Sequence, residues 1–429
     1  MYRKIRSFQK KDTSGIKRIE VPADKSNRQY KQCQEWITID TPAEVETALA
    51  DKISHHFAQA QGTFPTIPPF SKWVNWSAST HVAELILTGD FKPADLSEIE
   101  LSLVKHMKRR TELDSLTDII SIDDWIGKMR VWKESTSTSP SGFHLTHSKA
   151  LLASHDLDPN SLEAQALDAQ KNQLISWQVR LINLAIVHGY SYDRWKYVAS
   201  VMILKEPGNT KIHRLRVIHL YEQDYNLILA IKWRQLINQS ARQGLLNKGQ
   251  FGSIPGNDAI SPTVIEELQY EIGRASKRPL IHIDWDAMAC YDRIVTPLAS
   301  IIERSYGLHR NIVSVNANTL ENVKLLLKTQ LGISNNAIQN SSTSPIHGSG
   351  QGAGNSPGKW AVISSTLFDV YEQTAKGAQF HSPDGTTKTK VYMIGFVDDT
   401  SSSVNDFLSE TPHPPEKYIE MATEDAQRW

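Results

Sequence analysis

The sequence has few cysteines and lacks the features of a membrane or secreted protein. Cys33 and Cys290 are the only cysteines in 429 residues, too few for a disulfide framework or a cysteine-based zinc site. No apolar stretch reaches the roughly 18 to 20 residues that a membrane-spanning helix needs, and the basic N-terminus has no apolar core of a signal peptide. We therefore expect an intracellular protein, nuclear or cytoplasmic, without a membrane partner. The sequence leaves its oligomeric state open.

Net charge of one sign is also absent, but charge is segregated along the chain. Lys plus Arg and Asp plus Glu both total 47, so the overall charge indicates no particular partner. Residues 1–31 and residues 194–250 each carry ten basic and three acidic side chains, whereas residues 391–429 carry two basic and eight acidic ones. Taken alone, such blocks are usually solvated surface.

The first 190 residues predict mainly helices. Thr41 and Pro42 are favourable at a helix start, and an apolar stripe follows at helical spacing. Ranges 97–110 and 121–132 show the same pattern. A further amphipathic helix is predicted to end at Gly189, with its apolar stripe formed by Leu174, Trp177, Leu181 and Leu184. A Ser-rich connection at 135–142 suggests a subdomain boundary.

Acidic residues are concentrated in two strand-like segments. The run from Leu280 to Asp286 alternates, which places His282, Asp284 and Asp286 on one face of a predicted strand. Acids on one face of a strand require a chemical explanation.

A second acidic segment follows an almost purely apolar run. Residues 392–397 end abruptly in Asp398 and Asp399, which predicts a hairpin with carboxylates at its tip. Two like charges about 4 Å apart repel by on the order of 4 kcal/mol at an effective dielectric of about 20. A divalent cation would offset that repulsion, and Mg²⁺ prefers oxygen ligands and substrate phosphates. Paired acids alone are usually solvated turn residues.

A glycine-rich loop between the two acidic segments opens a predicted helix. Ser356 is a favourable N-cap and Pro357 a favourable first helical residue. The glycines, among them Gly352, allow close approach of a backbone or a nucleotide, and Gln351 adds a donor and an acceptor. The alternative is a flexible loop before a core helix.

Two cations flank a predicted turn upstream. Lys205 lies before a Pro-Gly turn and Arg216 lies in the strand-like run that follows it. If the two strands pair, both side chains could hold a triphosphate, although surface cations are common.

Taken in order, these segments resemble the reverse transcriptase family, most closely its non-LTR retrotransposon branch. Asp286, four residues and then Tyr291 resemble the first palm motif, in which the rival Asp284 would place the aromatic two positions off. The run from Gly348 through Gln351 and Gly352 to Ser-Pro resembles the second motif. Phe-Val-Asp398-Asp399 resembles the aromatic-x-Asp-Asp motif. The segments around Lys205 and Arg216 resemble the fingers segment that faces the triphosphate, with Arg-Val-Ile where the family usually has Arg-Pro-Ile. Residues 250–256 resemble the family's segment that precedes the first palm motif.

The resemblance implies an α+β fold with fingers and an antiparallel palm sheet backed by helices. It implies that Asp286, Asp398 and Asp399 bind two Mg²⁺ ions, with Mn²⁺ as an alternative, and catalyse nucleotidyl transfer. Tyr291, in the position that excludes a ribose 2′-hydroxyl, would join Lys205, Arg216, Gln351 and Gly352 in binding the dNTP. The implied partners are an RNA template and a DNA primer, for which the basic blocks would serve as phosphate tracks.

The implied organisation is a helical N-terminal extension of unknown role at 1–130, fingers at 131–279 and a palm at 280–429. Because only thirty residues follow Asp399, we expect a fragment that lacks the thumb. Two alternatives stay open from the sequence. One is a non-catalytic nucleic-acid-binding remnant of a mobile element, and the other is an RNA-dependent RNA polymerase.

Overall fold

The fold is seen in a computed structural model that describes residues 16–24, 30–110, 116–133, 139–287, 289–342, 344–407 and 413–429. Residues 1–15 and 25–29 of the basic block at 1–31 and residues 135–138 of the Ser-rich connection at 135–142 lie outside these ranges.

The helices are numbered here in chain order. They are α1 Pro42–Phe57, α2 Phe70–Trp73, α3 His81–Thr88, α4 Glu98–His106, α5 Ile122–Val131, α6 Leu145–Ala150, α7 Leu162–Val187, α8 Gln223–Arg242, α9 Ile260–Ser276, α10 Cys290–Arg293, α11 Thr296–Ser305, α12 Arg310–Glu321, α13 Ser356–Thr374 and α14 Pro415–Arg428. Short 3-10 turns connect several of them. Among the residues that the structure describes, none of these helices combines the length and the apolar character needed to cross a bilayer.

The strands are β1 Ile19–Pro22, β2 Trp36–Ile39, β3 Tyr197–Leu204, β4 Leu215–Leu220, β5 Leu280–Asp286, β6 Lys324–Thr329, β7 Gly332–Gln339, β8 Ala378–His381, β9 Lys388–Val391, β10 Met393–Phe396 and β11 Asp399–Asn405. They form one sheet in the order β4-β3-β6-β7, a second in the order β10-β11-β5, and two hairpins, β1-β2 and β8-β9. All pairings are antiparallel except β3 with β6. The predicted α+β class is confirmed.

The four-stranded sheet combines β3 and β4 with β6 and β7, which follow more than a hundred residues later. One buried apolar cluster extends from the N-terminal helices into α13, with Leu49, Trp125, Ile228 and Val362 among its members. Helices α1 to α5 therefore contribute side chains to the same core as the sheet. The division into three domains stays a prediction.

The helices predicted in the N-terminal region are present, but the side-chain cap predicted at Thr41 is not. In α1, Val45 and Leu49 of the predicted stripe are buried. Thr41 precedes this helix in an extended conformation, but its hydroxyl donates to Glu44 and caps no backbone N–H. The start of α4 and the start of α5 instead carry complete capping boxes. The β1-β2 hairpin was not predicted from the sequence.

The apolar stripe predicted for α7 was wrong. Leu174, Trp177, Leu181 and Leu184 are each more than half exposed, and the buried face of the helix is formed by Ile175, Val179, Ile182 and Ile186. The helix carries apolar residues on two adjacent faces, so periodicity alone did not select the face that packs. The inner face contacts α5, α8 and α12.

Candidate active site

The three predicted acids lie together at one end of the three-stranded sheet. β5 and β11 pair antiparallel, and the register places Asp399 directly opposite Asp286. Directly opposed residues project to the same face of a sheet, about 4.5 to 5.5 Å apart at Cβ. Asp398 lies in the turn immediately before β11. Backbone pairing therefore brings together acids that are more than a hundred residues apart in sequence.

The predicted hairpin tip is formed by β10, β11 and a two-residue turn. Val397 adopts φ +61°, a left-handed conformation that is strained for a β-branched residue. The indole N–H of Trp360, on α13, donates to the carbonyl oxygen of Val397. This bond holds the turn that presents Asp398.

A second support runs alongside β10. The Phe251 N–H donates to the Gly395 oxygen, and the Gly395 N–H donates to the Gly249 oxygen, both at 2.8 Å. A Cβ on Gly252 would lie 2.2 Å from the Val397 nitrogen, so only glycine fits there. The segment at 250–256 thus packs directly against the hairpin that carries the acids.

Negative charge accumulates at the tip of the β10-β11 hairpin. The pKa of Asp399 is raised, mainly by its partial burial and further by the negative charges of Asp398 and Asp286. Burial and the nearby Asp398 raise the pKa of the Cys290 thiol to about 12 and also contribute to a raised pKa of Tyr291. Among the described residues, the carboxylates of Asp286, Asp398 and Asp399 have no hydrogen-bond or ion-pair partner.

The acids suit a divalent cation in chemical type. Asp286, Asp398 and Asp399 are exposed at the surface and supply oxygen ligands, which Mg²⁺ and Mn²⁺ prefer. In the parts of the chain that the structure covers, no three His, Cys, Asp or Glu side chains are already arranged around a common ion position. The repulsion that raises the pKa of Asp399 would be relieved by such an ion.

The rival acid Asp284 has a different environment. It lies on the same face of β5, opposite Ser401, and its carboxylate is 3.0 Å from Nε2 of His282. His282 in turn contacts Tyr270 of α9. Asp284 therefore interacts with His282, whereas Asp286 lies opposite Asp399.

Tyr291 lies on α10, between the acids and the glycine-rich loop. Its electrostatic neighbours include Asp398, and its backbone oxygen accepts a hydrogen bond of 3.0 Å from the Ser349 N–H. Gly348 donates to the Ile294 oxygen at 2.7 Å. The loop is therefore tied to both ends of the Tyr291 segment.

The same loop covers the free edge of β4. The His219 N–H donates to the Gln351 oxygen at 2.7 Å, and a Cβ on Gly352 would lie 2.3 Å from the His219 oxygen. Gly352 has φ +113°, so both its conformation and its surroundings require glycine. Gln351 and Gly352 therefore lie beside the strand that carries Arg216.

The predicted N-cap at Ser356 was wrong, although the predicted helix is present. The N-cap is Asn355, and Ser356 is the first residue of α13. The hydroxyl of Ser356 donates to the Gly350 oxygen at 2.9 Å and lies 3.0 Å from that of Ser349. It stabilises the folded-back loop instead of the helix end.

The two predicted cations lie on the predicted strand pair. Arg216 is opposite Ile203 in the β3-β4 register, and the Lys205 N–H donates to the Arg214 oxygen just beyond it. Both side chains are exposed. The electrostatic influence of Lys205 falls on Lys52 and His213, and among the described residues no contact joins Lys205 or Arg216 to the three acids.

Sequence reasoning missed two residues that act on the site. Trp360 lies on a helix with an apolar face, and nothing in the sequence marks its indole as a donor to a distant turn. His56 lies 236 residues before its partner Asp292, and nothing in the sequence connects them.

Comparison with models of known protein families and with curated proteins found no match to this chain.

Proposed function

We propose that this chain is the fingers and palm of an RNA-directed DNA polymerase. The observation that carries the proposal is the register that sets Asp286 opposite Asp399, with Asp398 in the strained turn beside them. Three exposed acids that have no partner among the described residues lie near a glycine-rich loop, and they suit phosphoryl transfer, which depends on positioning and charge neutralisation. A nucleophile activated by a neighbouring base is not needed for such chemistry.

The proposed roles rest on the resemblance to reverse transcriptases, and the positions of the residues that carry it are compatible with them. Asp286, Asp398 and Asp399 would hold the divalent ions, which supply Lewis acidity to the attacking primer hydroxyl and the leaving phosphate oxygen. Gln351 and the backbone of the glycine-rich loop would bind the nucleotide. Tyr291, between loop and acids, would exclude a ribose 2′-hydroxyl.

The cations complete the proposed nucleotide site from the other sheet. Arg216 would bind the triphosphate by bidentate hydrogen bonds, and Lys205 would attract it as a point charge. An RNA template, a DNA primer and dNTPs are the proposed partners, and the proposed setting is the nucleus or the cytoplasm.

The test is primer extension on an RNA template with a DNA primer, dNTPs and Mg²⁺ or Mn²⁺. We expect extension by the unaltered chain and none by the Asp398→Ala, Asp399→Ala double variant. Incorporation of NTPs in preference to dNTPs would indicate an RNA-dependent RNA polymerase instead. A folded chain that binds the primer-template but extends it with neither nucleotide would indicate a non-catalytic remnant.

A further inference from the structure

The end of helix α1, in the N-terminal region of unassigned role, contacts the Tyr291 segment directly. Nε2 of His56 lies 2.9 Å from Oδ2 of Asp292, the residue after Tyr291. Three residues further along, the Gln59 side chain accepts a hydrogen bond of 2.8 Å from Nε of Arg293. Two consecutive residues of α10 are thus held from outside.

The same helix end also holds the start of the glycine-rich loop. The His347 N–H donates to the Phe57 oxygen at 3.0 Å, immediately before Gly348. The Phe57 ring packs on the ring of His219, 5.3 Å between centroids, and His219 bonds to the loop through its backbone. One turn of helix therefore contacts both elements that would surround the nucleotide sugar.

Asp292 has few other partners. Its side chain is only 5% exposed, and within the described residues its Oδ1 accepts no hydrogen bond, so His56 is the partner that the structure gives to this carboxyl group. Burial lowers the pKa of the neighbouring His219 to about 4, so that ring is neutral near pH 7 and offers Asp292 no positive charge. Removing one partner of a buried polar pair leaves the other unsatisfied.

Displacement of Asp292 would be transmitted to the loop. A Cβ on Gly348 would lie 2.6 Å from the Asp292 Cα, so the two backbones are in direct contact. Gly348 has φ +92°, which restricts this position to glycine.

We propose that His56 is a positioning residue that, through Asp292, fixes Tyr291 against the glycine-rich loop and so sets discrimination between deoxyribonucleotides and ribonucleotides. This inference rests on the proposed function. It assigns the C-terminal turn of α1 to the nucleotide pocket.

The test compares His56→Ala with His56→Asn and with the matched control His55→Ala. His55 is the preceding residue, is exposed, and bonds only within its own helix among the described residues. We expect His56→Ala to lower the ratio of kcat/KM for dNTP over NTP by about tenfold, because Asp292 loses the partner that fixes the Tyr291 segment. The His56→Asn variant, which keeps a donor, should recover part of that ratio, and the control should keep all of it.

A merely structural role would give a different result. It would lower the midpoint of thermal unfolding and the rates with both nucleotides together, leaving the ratio unchanged, and that outcome would overturn the proposal.

Hydrogen exchange separates this proposal from the proposed function. We expect amides at 289–294 and 348–352 to exchange faster in His56→Ala than in the control. If the unaltered chain extends no primer, the proposed function fails, and unchanged exchange would then overturn the positioning role as well.

Discussion

Two hairpins of this protein carry aspartates at their tips, and the hydrogen bonding of those aspartates differs. In the β8-β9 hairpin, Asp384 accepts hydrogen bonds from the Ser382 hydroxyl and from the N–H and hydroxyl of Thr386. These bonds lower the pKa of Asp384 to about 2. In the β10-β11 hairpin, Asp398 and Asp399 have no such partners among the described residues, and the pKa of Asp399 is raised.

The backbone conformations of the two turns also differ in strain. In the β8-β9 turn the left-handed position is occupied by Gly385, at φ +68°, without strain. In the β10-β11 turn it is occupied by Val397, and Trp360 holds it from outside. Strained residues persist where the surrounding structure fixes them, and they concentrate at functional sites. An aspartate satisfied within its own turn stabilises that turn, whereas an unsatisfied pair on a strained turn is available to a ligand.

The largest expected effect distinguishes the two turns by activity. Asp399→Asn should lower the rate of nucleotide incorporation by about a thousandfold or more, because no other described side chain can replace this carboxylate opposite Asp286. Asp384→Asn should leave the rate within about twofold, since surface substitutions away from the site change little. Single-turnover primer extension measures both. Equal losses would remove the distinction between the hairpins.

A smaller effect tests the support of the strained turn. Trp360→Phe keeps an aromatic side chain but removes the indole donor to Val397, so we expect kcat to fall by about tenfold, with a smaller change in the KM for dNTP. Thermal unfolding of the same variant provides the control. A loss of stability with unchanged kcat would mean that the bond is structural only.

Relief of the strain should separate stability from activity. Val397→Gly should raise the free energy of unfolding by up to about 1 kcal/mol, because a left-handed β-branched residue costs about 1 to 2 kcal/mol and glycine regains part of that. The rate should fall, because the turn is then less fixed. Denaturant unfolding tests the predicted gain in stability, and primer extension tests the predicted loss of rate. A destabilised Val397→Gly would contradict the assignment of strain.

The smallest effect concerns acid stability at the β8-β9 turn. Because the folded-state pKa of Asp384 is depressed to about 2, its stabilising contribution is present above its ordinary pKa and is lost as the pH falls through about 2. Asp384→Asn should therefore unfold at a lower temperature than the unaltered chain at pH 5, with the difference shrinking toward pH 2. A difference in unfolding temperature that grows as the pH falls would contradict this prediction.

Local patterns in the sequence predicted the elements of the site well. Period-two alternation identified β5 and the shared face of Asp284 and Asp286, and the end of an apolar run identified the β10-β11 turn. Pro357 marked the start of α13 to within one residue. These features depend on neighbours in the chain, which is why sequence alone reveals them.

Non-local contacts could not be predicted in the same way. The register that sets Asp399 against Asp286, the bond from Trp360 to Val397 and the contact of His56 with Asp292 each join distant segments. The face of α7 that packs was also decided by its neighbours, since both faces are apolar. Tertiary packing, not local periodicity, determines such choices.

The most direct test of the central claim compares two acids on one strand. Asp284 and Asp286 share a face of β5, but only Asp286 lies opposite Asp399. In single-nucleotide extension of a DNA primer on an RNA template, we predict that Asp286→Asn abolishes incorporation while Asp284→Asn stays within a few fold of the unaltered chain. Equal activity of the two variants, or loss in Asp284→Asn alone, would contradict the account.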